Sequence, residues 1–103
     1  MEFINKIELR GVVGSVKVSE VGGTVFTHFS LVTEYSYQSG SGEFVVDTTW
    51  WNCSLNARPE IKKGDIAHVV GRIRQRMYVA SACSDRPTYD VVVQAISIEG
   101  HQD

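Results

Sequence analysis

Apolar and polar residues alternate along most of this chain with the period of two that marks a half-buried strand, and five such stretches follow one another. From Asn5 to Val18, Ile7, Leu9 and Val12 are set against Lys6, Glu8 and Arg10, with Gly11 and Gly14 in the middle. Glycines inside a long strand predict bends or bulges, which a barrel strand serving two sheets needs. Val21-Gly22-Gly23-Thr24 predicts a hairpin turn, because Gly-Gly accepts the positive φ angles of tight turns. The second strand is expected from about Val25 to Tyr35, with Phe29 and Leu31 on one face and His28, Ser30 and Val32 on the other. Ser36 to Glu43, reading SYQSGSGE, is polar and glycine-containing, and it predicts a mobile hairpin loop.

The third strand, about Phe44 to Asn56, places Trp50, Asn52, Ser54 and Asn56 on one face and Trp51, Cys53 and Leu55 on the other. Asn56 to Gly64 contains Pro59 and is too short for a substantial helix, so a loop or a single helical turn is expected. From Asp65 to Tyr78, Val69, Ile73 and Met77 share one face, while Arg72, Arg74, Arg76 and Tyr78 share the other. A turn-rich segment from Ser81 to Thr88 precedes a last strand from about Tyr89 to Ile98, which Gly100 ends. Five strands with a glycine-bent entry and a short third connection make an all-β chain and suit a small closed barrel better than an open sandwich, though the count alone does not decide between them.

The 103 residues leave room for one domain, residues 1–103, and 43% hydrophobic residues supply one modest core. No apolar stretch approaches the roughly 20 residues that cross a bilayer, and no basic-then-apolar leader precedes the first strand. The expectation is a soluble, cytoplasmic protein in which Cys53 and Cys83 are free thiols. His28, His68 and His101 are scattered with no cysteine or carboxylate in ligand spacing, so no metal, cofactor or catalytic group is expected.

Charge changes the picture because it is uneven. The formal net charge is −2, which is unfavourable for a partner rich in phosphate. Between Arg58 and Arg76, however, six cations face only Glu60 and Asp65, a net of +4 that leaves −6 for the rest of the chain. Binding a single-stranded nucleic acid without reading its sequence requires cations along the phosphates and flat rings for the bases. Arg72, Arg74 and Arg76 recur at every second residue with Tyr78 continuing their row, and Trp50 stands on an otherwise polar face. Outward arginines are in most proteins only a solvated surface, and Trp50 and Tyr78 also suit the rim of a core or a subunit interface.

The order of motifs narrows the choice. Asn5-Lys6-Ile7-Glu8-Leu9-Arg10-Gly11-Val12-Val13-Gly14 resembles the opening strand of the bacterial single-stranded DNA-binding proteins. Gly22-Gly23 with Phe29-Ser30-Leu31-Val32-Thr33 resembles their second strand, and Thr48-Thr49-Trp50-Trp51 their Thr-Glu-Trp-His motif. Ile61-Lys62-Lys63-Gly64-Asp65 is similar to their Leu-Arg-Lys-Gly-Ser segment. Gly71-Arg72-Ile73-Arg74-Gln75-Arg76-Met77-Tyr78 is similar to Gly-Gln-Leu-Arg-Thr-Arg-Lys-Trp, and Val91-Val92-Val93 closes a resemblance covering about residues 5 to 100.

That resemblance implies a five-stranded OB-fold barrel of antiparallel Greek-key type, acting in DNA replication, repair or recombination as a cytoplasmic, nucleoid-associated homo-oligomer, a dimer or tetramer. By position it assigns base stacking to Trp50, Tyr78 and Tyr37, and phosphate contact to Lys6, Arg10, Arg72, Arg74 and Arg76. This chain departs from the pattern at Asn56, where the family commonly has a stacking phenylalanine, and at Trp51, where it has a histidine at a subunit contact. The helix between the third and fourth strands is largely missing, as in the shortened relative primosomal replication protein n. No acidic, phenylalanine-tipped tail follows Glu99, so tail-borne recruitment of replication enzymes is not expected. The competing expectation is a primosome-type protein-interaction module, in which Trp50, Trp51 and Tyr78 form a protein interface with rim arginines around it.

Overall fold

The alternation becomes five strands: β1 (Ile7–Val21), β2 (Thr24–Gln38), β3 (Phe44–Leu55), β4 (Asp65–Ala80) and β5 (Ser84–His101). The computed structural model describes the backbone of residues 1–80 and 84–102, with side chains except at 77–80 and 84–87. β2, β4 and β5 are longer than the sequence predicts. Ser36, Tyr37 and Gln38 extend β2 instead of belonging to a loop, so the expected eight-residue loop shrinks to 39–43. That turn is closed by Ser39 N–H to Glu43 O at 2.8 Å and Gly42 N–H to Ser39 O at 3.0 Å. Likewise Ser84 to Thr88, expected in a turn, pairs with β4, and β5 runs through Gly100 to His101. Cross-strand hydrogen bonding overrides weak local turn chemistry in both places. The expected turn residues Ser81, Ala82 and Cys83 lie outside the described residues.

The strands close into a barrel in the order β1-β2-β3-β5-β4. Neighbours are antiparallel except β3 and β5, which pair in parallel at Cys53 with Val91 and Ser54 with Val92. β1 serves both halves: its first residues, Ile7 to Val12, pair with β4, and Val12 to Val21 pair with β2. Between Val13 and Val16 two residues, Gly14 and Ser15, face the single Ser30, a bulge held by Ser15 N–H to Ser30 Oγ at 2.9 Å. The bulge flips the phase of the strand. Val13, in phase with Ile7 and Leu9 ahead of the bulge, is the buried valine rather than Val12, and past the bulge the residue that packs is Val16.

All five strands contribute to the core, which contains Val13, Phe29, Leu31, Cys53, Ala67, Val69, Val91 and Val93. Packing is tightest where two sheets meet backbone to backbone. A Cβ on Gly11 would land on the Val32 carbonyl oxygen, and one on Gly71 on the Val92 carbonyl oxygen. Only hydrogen fits at these positions.

The far end of the barrel is sealed by the β3–β4 connection, which has no helix. Gly64, at φ +94°, donates its N–H to Val13 O at 2.8 Å and accepts from Gln102 N–H at 2.7 Å. The buried Asp65 accepts from Lys62 N–H at 2.9 Å and pairs with His101 Nδ1, also at 2.9 Å. These bonds, that to His101 foremost, hold the Asp65 carboxyl below its ordinary range despite burial.

Two predictions follow from this packing. Gly11→Val or Gly71→Val forces backbone apart and should cost about 1–3 kcal/mol or more, read as a lower denaturant midpoint. Gly40→Ala, which meets open space without a positive φ, should stay within about 0.5 kcal/mol of wild type. Equal effects at the three sites would contradict the close-approach account. Because the Asp65 pKa is lower in the folded than in the unfolded chain, its contribution is present above about pH 4 and is lost as pH falls through the folded value. Asp65→Asn should thus be less stable at pH 7, with a smaller further loss on acidification to pH 3. An acid loss as large as that of wild type would remove Asp65 from this role.

Candidate nucleic-acid interface

An open cleft of ≈ 440 Å³ runs between the β1–β2–β3 surface and the β4–β5 hairpin. On the first side stand Lys17, His28, Ser30 and Asn52, and on the second Arg76, Tyr89 and Asp90. The division follows from closure. β3 and β5 pair only at Cys53/Val91 and Ser54/Val92, so the β4–β5 hairpin from Arg74 and Asp90 outward leaves the barrel as an arm. A neighbouring pocket shares His28, Ser54 and Arg76 with the cleft and extends it past Asn56 and Arg74.

The structure sorts the sequence-assigned residues into three groups. Trp50 and Arg76 come to the cleft region. The Trp50 ring is 61% exposed and lies over Gly14, where a Cβ would come within 2.6 Å of its Cζ3. The second glycine of β1 thus seats an aromatic platform as well as the bulge. The Tyr78 backbone pairs with Arg86 on the same arm, and its side chain lies outside the described ones.

Arg74 and Arg76 are not the free row that the alternation suggests. Asp90, directly across from Arg74, accepts from Arg74 Nη2 at 2.7 Å and Nε at 3.3 Å, and Arg76 Nη2 lies 3.6 Å from the same carboxylate. The Asp90 side chain is only 15% exposed. Burial pushes its pKa up, but the Arg74 hydrogen bond and the charges of Arg74, Arg76 and His28 outweigh this and hold it below the ordinary range. The same bond raises the Arg74 pKa. One partly buried anion therefore offsets part of the charge of two cations.

The remaining assigned residues lie elsewhere. Arg72 is exposed on β4. Asn5, through Nδ2 to Ile73 O at 2.7 Å and Oδ1 from Ile73 N–H at 3.0 Å, extends β1 along β4 and so sets the exposed Lys6 beside Arg72 in register. Arg10 pairs with Glu99 at 2.8 Å on the β1–β4–β5 surface. Tyr37, placed by sequence in a loop, is a β2 residue whose ring packs near Tyr35, with centroids 6.2 Å apart. In the unbroken β2–β3 ladder Tyr37 shares a face with Leu31 and Trp51, while Trp50 occupies the opposite one. The two predicted platforms do not form one surface.

Sequence reasoning missed Lys17, His28, Asn52, Tyr89 and Asp90 as parts of one cleft. The two strands that place His28 and Asn52 on polar faces are legible in the sequence; the arm that brings Tyr89 and Asp90 over them is not. Cys53 is buried, and burial, then the Asp90 charge, pushes its thiol up to about 12, so it packs as an apolar side chain. Among the described residues no three His, Cys, Asp or Glu side chains gather as a metal site, and no helix is long and apolar enough to cross a membrane.

No family model matches the chain. Two single-stranded DNA-binding proteins of Neisseria meningitidis, from serogroups A and B, are each 28% identical to it over 107 residues, covering 94% of this chain and 60% of theirs. The chain thus spans well under two thirds of those relatives. Among solved structures, a Plasmodium falciparum SSB complex with ssDNA matches with a TM-score of 0.87 at 19% identity, over 96% of this chain and 97% of that one. A deletion mutant of the Thermus aquaticus single-stranded DNA binding protein matches at 0.80 and 16%, over 93% of this chain and 50% of that one. A small single-stranded DNA-binding protein from Streptomyces coelicolor matches at 0.71 and 18%, over 95% and 96%. The chain resembles the bacterial single-stranded DNA-binding proteins in sequence, and its fold is their OB-type barrel.

Proposed function

We propose that this protein binds single-stranded DNA without sequence readout and without chemistry, in replication, repair or recombination. The observation that carries the reading is the cleft itself. It is walled by Lys17, Arg76 and the exposed Tyr89, adjoins a second pocket lined by the exposed Trp50, and is set on the barrel whose relatives bear that name. Cations supply a salt-dependent attraction to phosphates, and rings supply base stacking that tolerates any sequence.

The charges divide unequally. Arg76 and Lys17 face the cleft, and Arg72 and Lys6 offer a second pair of exposed cations on β1 and β4, whereas Arg74 is engaged by Asp90 and chiefly holds the arm. Tyr78, on the same arm, is proposed as a further stacking ring on the strength of its family position. Tyr37, beside Tyr35 on the other face, would meet DNA only where the strand wraps the β2–β3 hairpin. A homo-oligomer, a dimer or tetramer, fits the open side of β1 between Ile7 and Gly11, which pairs with β4 but not with β2. Replication or primosome proteins are the proposed wider partners.

Trp50→Ala should weaken binding of a labelled oligo-dT by about 1–3 kcal/mol in anisotropy titrations, with the salt slope nearly unchanged. Arg76→Ala should flatten the slope of log affinity against log salt by about 0.7, the value for one lost phosphate contact on a single strand. Arg74→Ala should flatten it less, because Asp90 already offsets that charge. Normal binding by a folded Trp50→Ala variant would rule out the stacking model, and no retention of the wild type on single strands at low salt would rule out the function. Light scattering at micromolar concentration should give at least a dimer mass; a monomer would overturn the assembly proposal.

A further inference from the structure

Past Cys53 and Val91 the strands β3 and β5 part, and the gap between them is a pocket of ≈ 180 Å³. Trp51, partly buried against the core, and the half-buried Ile73 form its apolar floor. Trp50 stands at one side and Tyr89 at the other, the latter 58% exposed, while Asn52 and Asp90 bring polar groups to the wall. Two exposed rings flanking an apolar floor leave ring-sized surface to be covered, and a base taken out of its stack covers such surface best. Gly14 beneath the Trp50 ring fixes one wall, because any side chain there would displace the ring. Pairing of Tyr89 with Gln75 and of Asp90 with Arg74 fixes the other.

The polar wall distinguishes bases. An ionised carboxylate only accepts hydrogen bonds, with room for about four across its two oxygens, and Arg74 takes one on each while Arg76 stands farther off. Asp90 therefore retains acceptor capacity while its pairing with Arg74 keeps it ionised and in place. Cytosine presents an amino donor at its edge where thymine presents a carbonyl oxygen, so the carboxylate attracts the first and repels the second. The Asn52 amide can serve the adjoining carbonyl or ring nitrogen of the same base.

Resting on the single-strand reading, and adding one base preference to binding that elsewhere ignores sequence, we propose that this pocket is a subsite for one unstacked nucleobase, held between Trp50 and Tyr89 and selected for an amino-bearing edge by Asp90. Tyr89 and Asp90 then act together: the ring gives affinity and the carboxylate gives preference.

The test measures anisotropy of labelled oligo-dC and oligo-dT of equal length at one salt concentration, using the full chain. Wild type should bind oligo-dC about fivefold or more tighter than oligo-dT, the low end of discrimination by a good base-edge contact. Tyr89→Ala should weaken both by about tenfold with an unchanged salt slope, and Tyr89→Phe should restore both. Asp90→Asn, which offers a donor in place of an acceptor, should abolish or reverse the preference. Equal binding of the two oligomers by wild type, or a preference that survives in Asp90→Asn, overturns the selection. Wild-type affinity in Tyr89→Ala overturns the subsite even if Asp90→Asn fails to fold, since Tyr89 is exposed and outside the core. If wild type binds neither oligomer at low salt, the single-strand reading itself fails; if it binds both and Tyr89→Ala is silent, only the subsite fails.

Discussion

A five-stranded sheet must bend to meet itself, and among the described residues its edges meet over two residue pairs, Cys53 with Val91 and Ser54 with Val92. The rest of the molecule depends on this narrow closure. Because β1 must feed both halves of the ring, its backbone comes against β2 at Gly11, and β4 comes against β5 at Gly71, with no space for a side chain. Because the bend is sharp, β1 inserts a residue at Gly14-Ser15, which reverses the phase of the strand, so that Val16 and not Ser15 follows Val13 against the core. Because the closure is short, β3 and β5 separate beyond it, and the β4–β5 hairpin projects over the cleft instead of completing the wall.

The cleft is thus a product of barrel geometry, and its chemistry comes from what the projecting arm carries. In an acidic chain a cluster of arginines needs a means of staying in position without free repulsion. Asp90 supplies it, partly buried beside Arg74 and Arg76 and kept ionised chiefly by Arg74. The same carboxylate lowers the field that phosphates would meet, so the arm has more structural order and less net attraction than its arginine count suggests. That balance makes rings, Trp50 over Gly14 and Tyr89 across from it, carry a larger share of the proposed binding than cations do.

Much of this was determined by the sequence alone. Period-two alternation, Gly22-Gly23 and the glycines of β1 specify five strands, a tight first turn and a bent entry, because these signals are local. They need only the φ/ψ freedom of a few residues and the side-chain period of a strand. The alternation of β3 also sets Trp50 on its polar face, and the side chain is exposed there.

What only the tertiary structure decided are relations between residues far apart in the chain. The short 39–43 turn and the start of β5 at Ser84 depend on ladders that extend through weakly turn-forming residues. The pairing of Arg74 with Asp90 depends on the register of a hairpin whose turn chemistry is weak, so a row of free arginines was the natural expectation from alternation alone. Tyr37 and Trp50 lie on opposite faces because β2 continues unbroken to Gln38, and one residue of register exchanges the two faces of a strand. Periodicity tells which residues share a side; only closure of the barrel tells which sides meet.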